Sequence, residues 1–272
     1  MKKQILTIVI LGIVVIIFSF VFFARYQGWF QKKYMQFKTK SLVFHSKKIE
    51  GNLNYRFFSP NHKSTESLPL VLVLHGAGGR GNNNIDQLTP LVYHFINKET
   101  QDSNPCYVVV PQCPTGVEWV NRSNNQVPYT HYSQDDTKES SEMKLIIELL
   151  NETKKEFPID SSRIYIVGFS MGATGTWDIL SRYPDFFAGA AIFSGVSDTT
   201  KARLLSHIPI LAFSGEDDNI APARLNEEMC TEINSFNGKC KFIKLKNVGH
   251  DCVSVAFETT DVIKELFEHK RI

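Results

Sequence analysis

Apolar and polar residues change period several times along this chain, and the changes mark out its elements. Ser41 to Ile49 and Asn52 to Ser59 alternate with period two around Glu50-Gly51-Asn52, which predicts an antiparallel hairpin. Pro69 to Leu74 is instead continuously apolar, the pattern of a strand buried on both faces of a parallel sheet. The patterns that follow predict helix 88–97, strand 107–110, helix 136–156 and strand 164–167, then helix 173–182 and strands 188–193 and 208–213. Helix 222–236, strand 240–245 and helix 253–269 complete the series. Alternation at this spacing predicts an α/β domain: a mostly parallel central sheet, helices on both faces, the hairpin at one edge.

One connection, Pro111 to Asp135, is long and aperiodic, with aromatic residues scattered through it. Loops of that length are often functional, so it is expected to wall the site, with Gln112 and Trp119 as substrate contacts. The stretch between the strands at 193 and 208 is too short for a lid domain, which predicts an open face.

The N-terminus obeys a different rule. Ile5 to Ala24 is twenty residues broken only by Thr7, Gly12 and Ser19, preceded by Lys2-Lys3 and lacking a small-x-small cleavage site. A hydrocarbon core needs about 20 residues to cross, whereas a signal-peptide core is usually about 7–15. The expected organisation is therefore a signal anchor over 1–24, a basic and aromatic juxtamembrane linker over 25–40, and a catalytic domain over 41–272. The domain is expected on the extracytoplasmic side; the alternative is secretion after cleavage.

Composition narrows the classes. The chain has 272 residues, 43 % hydrophobic and 21 % charged, within the ordinary globular range. Its formal charge of +2 is accounted for by Lys2 and Lys3, so residues 25–272 balance at zero and imply no nucleic-acid surface. No metal-ligand or P-loop spacing occurs, so neither cofactor nor metal is expected. The five cysteines are an odd number; Cys230 and Cys240 flank a helix-to-strand connection and either pair in an oxidising compartment or are buried as small hydrophobes.

The chemistry concentrates where the strand Ile164–Val167 stops at Gly168-Phe169-Ser170-Met171-Gly172 and a helix-compatible segment begins. A strand, a Gly-x-Ser-x-Gly turn and a helix make the context of a nucleophile elbow, with Ser170 pushed out beside a helix N-terminus. The bland alternative is a helix start capped by Ser170. A serine needs a base and an orienting acid, and in this context they follow in the order Ser, Asp or Glu, His. The strand 208–213 runs into Ser214-Gly215-Glu216-Asp217-Asp218, where chemistry alone leaves three carboxylates open. His250, in Val248-Gly249-His250-Asp251 after the last strand, is placed as the base. The apolar strand to Leu74 ends in His75-Gly76-Ala77-Gly78-Gly79-Arg80-Gly81. An oxyanion hole would draw one N–H from Met171 and one from this loop, Ala77 first and Gly78 second. Gly76-x-Gly78-x-x-Gly81 also matches a dinucleotide-binding fingerprint. Asn82-Asn83-Asn84 is a poor helix interior, however, and the acid that should close the next strand is missing.

Several segments together resemble the bacterial "predicted peptidase" esterases, α/β-hydrolases near the phospholipase/carboxylesterase and polyhydroxybutyrate depolymerase-like groups. They are Pro158-x-Asp160-x-x-Arg163-Ile164-Tyr165, the Gly168–Gly172 pentapeptide, Gly175-Thr176-Trp177, and Tyr183-Pro184-Asp185-x-Phe187-Ala188. His75-Gly76-Ala77-Gly78, Pro111-Gln112-Cys113-Pro114 and Gly249-His250-Asp251 extend the resemblance across about residues 45–268. In that family the acid stands three residues after the loop glycine and is followed by x-x-x-Pro, which selects Asp218, with Pro222 closing the motif. Ala173 and Ala221 depart from the family's usual glycine and valine. The resemblance implies a cofactor-free serine hydrolase of small or polymeric esters. The alternatives are an acyltransferase or peptidase on the same residues and, less in keeping with an intact triad, a binding module.

Overall fold

A computed structural model describes residues 27–61 and 66–271. The segment 5–24 expected to span a membrane lies outside them. Among the described residues no helix is long and apolar enough to cross a bilayer.

The chain forms one eight-stranded sheet in the order β1-β2-β4-β3-β5-β6-β7-β8. Its strands are β1 Lys40–His45, β2 Asn52–Phe58, β3 Leu68–Leu74, β4 Tyr107–Pro111, β5 Ile159–Phe169, β6 Gly189–Phe193, β7 Ile210–Gly215 and β8 Cys240–Leu245. The hairpin β1–β2 pairs antiparallel at the edge, β2 meets β4 antiparallel, and the other neighbours run parallel. This is the α/β-hydrolase arrangement the resemblance implies. The continuous apolar runs are explained by burial on both faces. Leu70, Leu72 and Leu74 of β3 enter one core while Val71 and Val73 enter the other. The first core is covered by α4 (Ser141–Glu156), α5 (Met171–Arg182) and α6 (Arg224–Ser235). The second is covered by α2 (Pro90–Ile96), α7 (Val253–Thr259) and α8 (Val262–Phe267).

Several boundaries differ from the sequence reading, each through a local hydrogen bond. The helix expected from 136 starts at Ser141, because Ser140 accepts the Met143 N–H and donates to the Trp119 carbonyl. The helix expected over 253–269 breaks at Thr260, and Asp261 recaps it by accepting the Lys264 N–H. Asn97 likewise ends α2 and caps a further short helix, α3 (Lys98–Ser103). Residues 27–38, inside the expected linker, form a helix, α1, whose Met35 is buried in the second core. Cys230 and Cys240 form a disulfide joining α6 to β8, with Cα atoms 5.0 Å apart. Cys106, Cys113 and Cys252 are free and buried.

His75, at the end of β3, braces the loops that follow β3 and β4. Its Nδ1–H donates to the Gly76 carbonyl at 2.7 Å, and its Nε2 accepts the Cys113 N–H at 3.0 Å. Both ring nitrogens are therefore committed to the neutral form. Burial drives the His75 pKa down to about 4. Between that value and the unfolded value near 6.5 the unfolded chain binds a proton the native ring refuses, so the contribution is complete above about 6.5 and lost as pH falls toward 4. Its size is on the order of 3 kcal/mol. Urea unfolding at stepped pH is expected to show stability falling through this window. His75→Gln is expected to be less stable at neutral pH and to show a shallower slope; an unchanged slope would remove His75 as the source.

Candidate functional site

The loops after β3, β5, β7 and β8 meet at the carboxyl ends of the parallel strands, the end of an open α/β sheet where ligands bind. At the β5–α5 turn Ser170 takes φ 56°, ψ −117°, a conformation costing an L-residue about 1–3 kcal/mol that must be held from outside. It is held by its N–H donating to the Phe193 carbonyl at 2.9 Å. Close approach accounts for the flanking glycines. A Cβ at Gly172 would stand 2.1 Å from the Leu74 carbonyl oxygen, and one at Gly168 would stand 2.3 Å from the Gly172 carbonyl oxygen.

Of the three acids after β7, Glu216 and Asp217 point into solvent and Asp218 is buried. Asp218 Oδ1 accepts the Ile220 and Ala221 N–H groups at 2.8 and 2.9 Å, which leaves Oδ2 for His250 Nδ1 at 2.8 Å. Burial raises the Asp218 pKa, but the hydrogen bonds from His250, Ala221 and Ile220 outweigh it and hold the carboxyl below its ordinary value. An ionised Asp218 accepts from Nδ1–H, so Nε2 is the imidazole acceptor. Nε2 lies 2.7 Å from Ser170 Oγ. The result is one chain of hydrogen bonds, Asp218–His250–Ser170, buried at the acid and half-buried at the serine.

The two proposed oxyanion donors sit where their N–H groups lack helical acceptors. Met171 is the first residue of α5 and Ala77 the first of a 3₁₀ turn, Ala77–Gly79. The turn packs on the elbow: a Cβ at Gly76 would stand 3.3 Å from Ser170 Cβ. Beyond this turn the chain enters no helix until Pro90, so the dinucleotide fingerprint lacks its helix N-terminus. Among the described residues no group of three or more His, Cys, Asp or Glu side chains could hold a metal ion.

Gln112 and Trp119, expected as substrate contacts, are corrected by their burial at 1 % and 0 % exposure. Gln112 accepts the Asn84 N–H and donates to the Gly79 carbonyl, and Trp119 Nε1 donates to the His75 carbonyl at 3.0 Å. Both hold the Gly-rich loop from behind. The 111–135 connection instead crosses toward the acid loop, where the Tyr129 N–H donates to the Ile220 carbonyl and half-buried Tyr129 packs against Ala221 and Leu225.

Two supports were not legible beforehand. Ser194, at φ 55°, donates its hydroxyl to the His250 carbonyl at 2.9 Å, and nothing in the spacing of a serine after a buried strand announces that role. Gly215 lets the acid and histidine loops touch, since a Cβ there would stand 2.1 Å from the Gly249 carbonyl oxygen. A glycine beside three acids was the available signal.

Comparison with known proteins agrees with the fold. Over 129 residues, 47 % of this chain, it is 32 % identical to poly(3-hydroxyalkanoate) depolymerase C of Paucimonas lemoignei, of which that match covers 28 %. Over 164 residues, 60 % of the chain, it is 26 % identical to a bifunctional acetylxylan esterase/xylanase of Neocallimastix patriciarum, covering 21 % of that protein. The chain thus spans between a fifth and a third of the length of these curated relatives. A solved structure of a thermostable esterase superposes with TM-score 0.79 at 27 % identity, covering 87 % of this chain and 64 % of that one. Residues 59–265 match the profile of the phospholipase/carboxylesterase family, and with three quarters of its length inside that match this chain belongs to the family.

Proposed function

We propose that this chain is a serine hydrolase of carboxylic esters. The observation that carries the reading is the unbroken Asp218–His250–Ser170 hydrogen-bond chain at the open end of the sheet. In the reaction, Ser170 Oγ attacks the acyl carbon as its proton passes to His250 Nε2. The N–H groups of Met171 and Ala77 stabilise the charge that develops on the carbonyl oxygen. Collapse breaks the ester bond, His250 gives its proton to the leaving alcohol, and the acyl group remains on Ser170. Water then attacks the acyl carbon, losing a proton to His250; the bond to Ser170 Oγ breaks, His250 returns the proton to Oγ, and the acid leaves. Asp218 stays ionised throughout, fixing the tautomer and stabilising the imidazolium. Polymer-borne esters fit as well as small ones, because the β6–β7 connection carries only a 3₁₀ turn, Thr199–Leu205, and no lid.

The same reading extends to the N-terminus. Residues 5–24 anchor the chain in a membrane with the catalytic domain on the extracytoplasmic side. Support comes from the twenty-residue apolar run and from the Cys230–Cys240 bond, which persists in oxidising compartments.

Ser170→Ala is expected to lower ester hydrolysis by roughly 10⁴–10⁶-fold and to abolish fluorophosphonate labelling. Labelling that survives in the variant would refute the assignment. Asp218→Asn is expected to cost about 10⁴-fold in kcat, whereas Glu216→Gln and Asp217→Asn, both in solvent, should stay near the parent. A crippled Asp217→Asn would assign the acid to the wrong neighbour. For the anchor, the full-length chain should stay with membranes through carbonate extraction. A mature N-terminus just after Ala24 would identify a cleaved signal instead.

A further inference from the structure

The outward face of α1 carries what soluble domains usually hide. Trp29, Phe30 and Phe37 are exposed at 57 %, 58 % and 85 %. At about 100° per residue, Trp29, Lys33 and Phe37 stack one turn above another, with Phe30 beside them, so the exposed rings form a stripe along the helix. The opposite face is fastened to the domain. Met35 is buried, Tyr34 packs edge-on against Tyr93 and donates to the Ile96 carbonyl, and Lys32 pairs with Asp86 at 2.9 Å. The rings therefore cannot rotate inward without breaking those contacts.

Charge along the same segment is one-sided. Between residues 25 and 49 stand Arg25, Lys32, Lys33, Lys38, Lys40, Lys47 and Lys48, and not one carboxylate. Aromatic rings around exposed Lys33 on one helix face, in a segment rich in lysine, are the chemistry of the headgroup layer, where rings sit at the acyl boundary and lysines meet anionic lipid. Position agrees: the three residues from Ala24 to Gln27 reach at most about 11 Å, so a helix following a span at 5–24 starts within the headgroup layer.

We propose that the face of α1 formed by Trp29, Phe30, Lys33 and Phe37 lies in the interfacial layer of a bilayer containing anionic lipid, docking the catalytic domain side-on to the membrane. The proposal rests on residues 5–24 being a membrane anchor, and it adds an orientation that an anchor alone does not impose. A helix rising along the membrane normal would carry Phe37 about 15 Å farther out than Gln27; a helix lying in the plane keeps Trp29 and Phe37 at one depth.

The test uses the full chain reconstituted in vesicles of phosphatidylcholine and phosphatidylglycerol, with a spin label at Trp29→Cys, Phe37→Cys or Phe236→Cys. The native cysteines are buried or paired and stay unlabelled. Phe236 is exposed just beyond α6, toward the opposite edge of the sheet, and serves as the water reference. The expected result is loss of collisions with aqueous nickel chelate and gain of collisions with oxygen at both Trp29 and Phe37, but not at Phe236. Adding Phe30→Gln and Lys33→Glu should return the Phe37 label to water while the chain still resists carbonate. Retention of the chain with a Phe37 label as nickel-accessible as Phe236 overturns the docking and leaves the anchor standing. A chain that washes off, with every label in water, overturns both.

Discussion

The structure depends on how closely three backbones approach beneath Ser170. The first turn of α5 presses on the end of β3 at Gly172 and on the end of β5 at Gly168, with no room for a side chain at either contact. That contact lifts Ser170 out of the sheet and brings the Gly-rich loop after β3 against it, where a Cβ at Gly76 would stand 3.3 Å from Ser170 Cβ. The two apolar cores exist to hold this contact rigid. The strands β3 and β6 on either side of β5 are buried on both faces, so the strained turn stands on closely packed elements.

The electrostatics follow from the same geometry. Asp218 could be buried only because two backbone N–H groups and an imidazole satisfy it, and a buried carboxylate so satisfied remains ionised. Its neighbours Glu216 and Asp217 have the same chemistry but remain in water. Their backbones instead extend the sheet, donating to the Leu245 and Val248 carbonyls and carrying the acid loop over to the histidine loop. His75 is a second satisfied polar group in the interior, bound neutral, and it ties together the loops that follow β3 and β4.

Much of this was readable in the residues, and what was not has physical causes. Continuous apolar runs identified the buried strands because burial on both faces leaves no polar position to spare. The strand-to-helix turn at Ser170 and the loop carrying His250 were marked by the glycines that bound them, and the expected order of serine, acid and histidine came from the motif's usual context. Periodicity failed at Thr260-Asp261, where apolar spacing runs on but a side-chain cap breaks the helix. It failed again at Gln112 and Trp119. Polar and aromatic residues in an aperiodic loop read as surface, whereas here their donors are spent on the Gly79 and His75 carbonyls. Such partners lie 33 and 44 residues away, and no local pattern encodes them. Among the three acids, spacing borrowed from a resemblance chose the residue that burial distinguishes.

Ser170 and Ser194 share an unusual backbone, both with positive φ, and each is tied one strand over: Ser170 N–H to the Phe193 carbonyl, Ser194 N–H to the Phe213 carbonyl. The ends of β5, β6 and β7 are thus stitched into a staircase, and Ser194 closes it by gripping the carbonyl of His250. The position of Ser170 is consequently a register reading of the sheet centre. Lengthening β6 or β7 by a single residue would shift every later step, whereas an insertion in the outer strands or in a loop the staircase does not cross would leave Ser170 in place. The scaffold therefore has room for change at its rim and almost none at the tread on which Ser170 stands.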